Sequence, residues 1–130
     1  MLVIDDDPEV RAYLEDVLRI EGFVVTSLSD PRSVVDRLLD EPFDIAVVDV
    51  CMPELDGIEL LARIRAVDDA IPVIMVNAYL SLEILEASHE LGVSACLAHP
   101  ITPDELRDAI AGIVTELGHA ARSRPWSIPR

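Results

Sequence analysis

Four short apolar runs in this chain end in a residue able to do chemistry. Asp5 and Asp6 follow Met1-Leu2-Val3-Ile4, and Asp49 follows Ile45-Ala46-Val47-Val48. Asn77 follows Val73-Ile74-Met75-Val76, and His99 follows Ser94-Ala95-Cys96-Leu97-Ala98. If the runs are parallel strands, their ends share one edge, the edge where open α/β sheets bind ligands. Carboxylates crowded there repel one another, and a bound cation relieves the repulsion. Oxygen donors of this kind suit Mg²⁺, which keeps several waters and binds phosphates readily. Asp49 then has the chemistry of a carboxylate nucleophile that forms an aspartyl-phosphate. The metal would neutralise charge in the transition state.

The segments between the runs must position these residues. Asp7-Pro8 supplies a cap and a first-position proline. Val10, Tyr13, Leu14, Val17 and Leu18 then follow helical spacing to Gly22. Phe23-Val24-Val25 is expected as a second strand. Asp30-Pro31 is expected to open a second helix that buries Val34, Val35, Leu38 and Leu39, with Pro42 ending it. The central run through Val48 is β-branched and uncharged, as a strand buried on both faces must be. Leu60, Leu61, Ile64 and Val67 mark a third helix, and Ser81 is placed to cap a fourth that ends at Leu91-Gly92. Thr102-Pro103-Asp104-Glu105 reads as a capped helix start with Glu105 set to close a capping box. Leu106, Ile110, Ile113 and Leu117 form that last helix's apolar side. Alternating strands and helices joined at these lengths require a parallel sheet covered on both faces.

Composition narrows the function classes. The 130 residues carry a formal charge of −15, and residues 1–118 hold all 25 acidic residues and seven of the ten arginines. Such a body is expected to bind no nucleic acid directly; it suits divalent cations or a basic partner. No run approaches a membrane span and no signal peptide is visible, so a cytoplasmic location is expected, with no membrane partner. Cys51 and Cys96 lack metal-site spacing and fit free thiols. Every basic residue is arginine; the chain has no lysine. Residues 1–118 are expected to form one domain, and 119–130 a basic tail or linker. Trp126 in that segment is either solvated or docked on the body or a partner.

The chain resembles the receiver domain of bacterial two-component response regulators. The residues that carry the resemblance are Ile4-Asp5-Asp6-Asp7-Pro8, Val47-Val48-Asp49-Val50-Cys51-Met52-Pro53-Glu54-Leu55-Asp56-Gly57, Ile71-Pro72-Val73-Ile74-Met75 and His99-Pro100. The resemblance implies a flavodoxin-like (βα)5 fold, a doubly wound five-stranded parallel sheet with strand order 2-1-3-4-5. It implies Asp49 as phospho-acceptor, taking the group from a sensor histidine kinase or a histidine phosphotransfer protein. It also implies Mg²⁺ held by Asp5, Asp6, Asp49 and the backbone carbonyl of Cys51. Asp56-Gly57 would form the loop turn. The protein would be no enzyme beyond catalysing its own phosphoryl transfer and dephosphorylation. The face made by the fourth helix, fifth strand and fifth helix is a contact for a downstream partner or a homodimer in this family.

Three positions depart from the family pattern. Asn77 stands where the family has Thr or Ser, His99 where it has Lys, and Cys96 where it usually has Tyr or Phe. Asn77 retains an amide donor but no compact hydroxyl. His99 is shorter than lysine, and a free imidazole has its reference pKa near neutrality. Metal binding is therefore expected to survive while phosphorylation or switching is weakened. The competing class is a phosphorylation-independent pseudo-receiver that binds a partner constitutively. A Mg²⁺-dependent phosphohydrolase would need a second carboxylate two residues past the nucleophile, where Cys51 stands. The structural alternatives are a plain loop start for Asp5 and Asp6, an ordinary strand end for Asp49, a backbone-satisfying role for Asn77 and a pre-proline role for His99. Glu83, Glu86, Glu90 and His89 read as a solvated helix face.

Overall fold

A computed structural model describes residues 1–5, 7–49, 57–77, 82–98 and 100–123, with backbone alone at 31, 49, 57, 77 and 116–123. The elements are β1 (Leu2–Ile4), α1 (Pro8–Ile20), β2 (Thr26–Leu28), a 3₁₀ turn (Pro31–Ser33) and α2 (Val34–Asp40). They continue as β3 (Ala46–Asp49), α3 (Gly57–Val67), β4 (Val73–Asn77), α4 (Leu82–Glu90), β5 (Ala95–Ala98) and α5 (Pro103–Ser123). All strand pairs are parallel, and the sheet order is β2-β1-β3-β4-β5. This is the doubly wound, flavodoxin-like order expected above.

Strand alternation divides the core into two layers. Leu2, Ile4, Ala46, Val48, Val73 and Met75 pack with Val34, Leu60, Leu61 and Ile64, under α2 and α3. Val3, Ile45, Val47, Ile74 and Val76 pack with Leu14, Val17, Leu18, Leu106 and Ile110, under α1 and α5. Successive side chains of a strand point to opposite faces, so an unbroken apolar run serves both layers. Each fully buried side chain such as Leu60 stabilises the fold by about 1.5–3 kcal/mol.

Local signals act as the sequence implies at most ends. Asp7 caps α1, its Oδ1 accepting the Glu9 N–H at 2.9 Å. Thr102 caps α5: its Oγ1 accepts the Glu105 N–H at 3.1 Å, and its hydroxyl donates to Glu105 Oε1 at 3.2 Å. Gly22 and Gly92 take positive φ, 94° and 72°, just past α1 and α4. At both, an L side chain would be strained.

Two expectations need correction. The second strand is Thr26–Leu28, not Phe23–Val25. The Phe23 N–H is spent on the Leu18 carbonyl in the cap behind α1, and the ladder to β1 opens at the Thr26 N–H, which donates to Met1 O. Phe23 and Val25 pack against the α1/α5 layer instead, and Val24 faces solvent. The second helix begins as a 3₁₀ turn, and its Leu39 is exposed, because only seven residues of α-helix follow and Val34 and Leu38 already meet the sheet. The last helix, α5, runs on through Gly118 to Ser123, so the first residues of the segment expected as a tail or linker are helical. Ala120, Ala121 and Arg122 favour helix, and the next proline comes only at Pro125.

Candidate functional site

Sheet register brings the strand ends together. Ile4 is level with Val48, so Asp5 and the backbone of Asp49 occupy the next position on neighbouring strands. Adjacent strands lie about 4.8 Å apart. Asp49 is level with Val76, so Asn77 is one step further along β4. Asn77 is in turn level with Ala98, the last residue of β5 and the one before His99. Asp5, Asp49 and Asn77 therefore share the carboxyl edge. Asp6, Cys51 and His99 lie outside the described residues, as do Asp56 and Ser81. At Asp49 and Asn77 the structure describes backbone only.

Asp5 is fully buried. Its Oδ1 accepts the Asp7 N–H at 2.9 Å, its own N–H donates to Leu28 O at 3.2 Å, and its carbonyl accepts Arg11 Nη1 at 2.8 Å. The backbone is thus fixed on both sides, while the carboxylate is withdrawn from water. A charge so placed costs several kcal/mol unless other groups compensate it. Arg11 lies beside it, with Nη1 on the Asp5 carbonyl. A buried carboxylate level with a second acidic position is the donor chemistry a hard cation takes. Among the described residues no cluster of three His, Cys, Asp or Glu is assembled.

Helix α1 also reaches the opposite loop. The Tyr13 hydroxyl donates to Ile101 O at 2.8 Å, linking residues 88 positions apart. An open cavity of about 330 Å³ lies beside it, lined by Glu9, Val10, Tyr13, Pro100 and Ile101. Sequence reasoning treated Tyr13 only as an apolar helix position. The signal available was a phenol among aliphatic residues, since a tyrosine ring at an apolar helix position brings a hydroxyl that seeks a partner.

Cys96 is half-buried in β5, against the α2/α3 layer. Burial pushes its thiol up, and the nearby Ser88 hydroxyl only partly opposes this. That hydroxyl is itself buried without hydrogen-bond geometry among the described residues. A thiol so placed is a packing group rather than a nucleophile. His89, Glu83, Glu86 and Glu90 are exposed on α4, as expected of a solvated face. No helix among the described residues is long and apolar enough to cross a membrane.

Known proteins share this sequence and geometry. Residues 1–111 match the response regulator receiver domain family. The chain is 34% identical over 110 residues to sporulation initiation phosphotransferase F of Bacillus subtilis, covering 85% of this chain and 89% of that protein. It is 32% identical over 128 residues to the transcriptional regulatory protein PrrA of Mycobacterium tuberculosis, and spans only 55% of that protein's length. Its fold superimposes on a CheY-like receiver domain protein of Methanospirillum hungatei with a TM-score of 0.84 at 28% identity, covering 88% of this chain and 92% of that one. Strand order, the level carboxylate positions and a family match over most of the chain agree: the chain belongs to the response regulator receiver domain family.

Proposed function

We propose that the chain is a two-component receiver that accepts a phosphoryl group on Asp49 from a histidine kinase or phosphotransfer protein. The observation that carries this is the register that sets buried Asp5 level with Asp49 on the next strand. An Asp49 carboxylate oxygen would attack phosphorus, forming a P–O bond as the P–N bond to the donor imidazole breaks. Asp5, Asp6, Asp49 and the Cys51 carbonyl would hold Mg²⁺, which supplies charge neutralisation at the phosphoryl oxygens. Asn77 would donate an amide N–H to the phosphoryl group, and His99 would take the place of the family's ammonium. The donor chemistry fits a hard cation: acidic positions from two neighbouring strands meet at this edge.

Phosphorylation or its coupling to output would be weak, because Asn77, Cys96 and His99 replace the groups that sense the phosphoryl. The alternative, a pseudo-receiver binding its partner without phosphorylation, draws on the same substitutions and on the absence of lysine. The protein would act in the cytoplasm as a signalling module, not as an enzyme on external substrates. Residues 1–118 would form its body, which the family match over 1–111 supports, and 119–130 a basic tail or linker. Exposed Leu82 and Leu85 on α4 and Val114 on α5 support a partner or homodimer face there.

Incubation with a small phosphodonor and Mg²⁺, followed by mass spectrometry of Asp49, tests the assignment. Partial, short-lived modification lost in Asp49→Asn is the expected result. No modification at saturating donor would overturn acceptance, and full, long-lived modification would overturn the weakening.

A further inference from the structure

Helix α4 is seated unlike its neighbours. The other long helices set aliphatic pairs into the core: Leu14 and Leu18 from α1, Leu60 and Ile64 from α3, Leu106 and Ile110 from α5. The inward line of α4 is Ile84, Ala87, Ser88 and Leu91, at helical spacing. Of these only Ser88 is fully buried, and it is polar. Its hydroxyl has no hydrogen-bond partner among the described residues. It lies beside the half-buried thiol of Cys96 on β5, a weak donor and a weak acceptor. A buried hydroxyl so placed opposes the seating that a methyl group would favour.

The C-terminal turn of α4 is fastened instead. Arg65 of α3 donates through Nε to Leu91 O at 2.7 Å and through Nη2 to Gly92 O at 3.1 Å. Gly92, at φ 72°, turns the chain, and just before β5 the Ser94 N–H donates to Val73 O at 2.9 Å. The helix is thus tied down at one end and rests along its length on a polar contact. We propose that α4 is a lever hinged at its C-terminal turn, with Ser88 as its release point: the helix leaves β5 and bares Cys96 at a small fraction of the cost of global unfolding. A partner that prefers the released helix has only that local cost to meet, so the fold can respond at α4 while the sheet stays whole. The device does not depend on the acceptor function proposed above.

The test follows amide exchange by NMR on the full chain, and alkylation of the Cys96 peptide by N-ethylmaleimide, read by mass spectrometry. In the wild-type chain the amides of residues 86–90 should exchange at least about tenfold faster than those of residues 74–76 in β4, while the Ser94 amide stays protected. Ser88→Ala removes the hydroxyl and little else. It should slow exchange in residues 86–90 and alkylation of Cys96 together, by about 3- to 10-fold. Wild-type exchange as slow in α4 as in β4 would overturn the lever. A Ser94 amide that opens in step with α4 would overturn the hinge. A rate unchanged or faster at either readout in Ser88→Ala would overturn Ser88 as the release point.

Discussion

The two edges of the sheet are built on opposite principles. At the amino edge one cation gathers backbone acceptors. Arg65 on α3 donates to Leu91 O at 2.7 Å, Ile71 O at 2.6 Å and Gly92 O at 3.1 Å, with Asp68 O at 3.4 Å. Its guanidinium thereby ties the end of α3 to the turns before β4 and β5, and burial lowers its pKa while Asp68 and Asp69 oppose the shift. At the carboxyl edge Asp5 is level with Asp49, and the Arg11 beside Asp5 donates to its main-chain carbonyl. Asp5 is buried there with an Asp7 N–H for support. One edge is tied together by a single side chain; the other collects acidic positions from neighbouring strands. Under the proposed function, chemistry and cross-linking would sit at opposite ends of the strands.

Breaking the amino edge should have the largest effect. Arg65→Ala strands three or more carbonyls that a charged donor had satisfied, and should cost about 2–4 kcal/mol in urea unfolding. Arg65→Lys should recover only part, because an ammonium cannot fork among several acceptors. A loss under 1 kcal/mol would mean water replaces the guanidinium there.

The carboxyl edge should respond with the opposite sign. Asp5→Asn keeps an oxygen for the Asp7 N–H and removes a buried charge. In metal-free buffer it should raise stability by about 1 kcal/mol while weakening Mg²⁺ binding at least tenfold. Destabilisation without metal would show that the edge is self-sufficient, and the contrast would fail. Thr102→Ala removes the cap of α5 on this same side and should cost about 1 kcal/mol, without altering Mg²⁺ affinity.

The smallest effect is a pH dependence. Asp30, beyond β2 on the carboxyl edge, has its own arginine: hydrogen bonds from the Arg32 side chain and backbone hold its carboxyl below the ordinary 3.8. A depressed acid stabilises the fold fully above the unfolded value and loses that contribution as pH falls through the folded one. Asp30 is exposed, so Arg32→Ala should shift the acid-unfolding curve only slightly, and only below about pH 4.

How far the sequence foretold this follows from which forces act locally. The strands at Leu2–Ile4, Ala46–Asp49 and Val73–Asn77 are buried on both faces, so hydrophobicity alone marks them. Edge strand β2 is Thr-Ser-Leu, and the more apolar Phe23-Val24-Val25 beside it belongs to a helix cap and its packing. There a period-two expectation cannot distinguish ladder from cap. Capping residues Asp7 and Thr102 were legible because their partners lie within three positions. Tyr13 and Arg65 were not, because their acceptors lie far along the chain and only the folded register brings them near. Asp5 and Asp49 were legible as strand ends, and the register supplied their alignment.

Helix α5 carries a last consequence. Its 21 residues extend about 32 Å, starting beside the acidic edge and running antiparallel to the strands. Ser123, the last described residue, therefore lies toward the pole away from Asp49. An output module joined there would hear of events at the acceptor only as a change in how the helix is seated, or in which neighbour covers its flank.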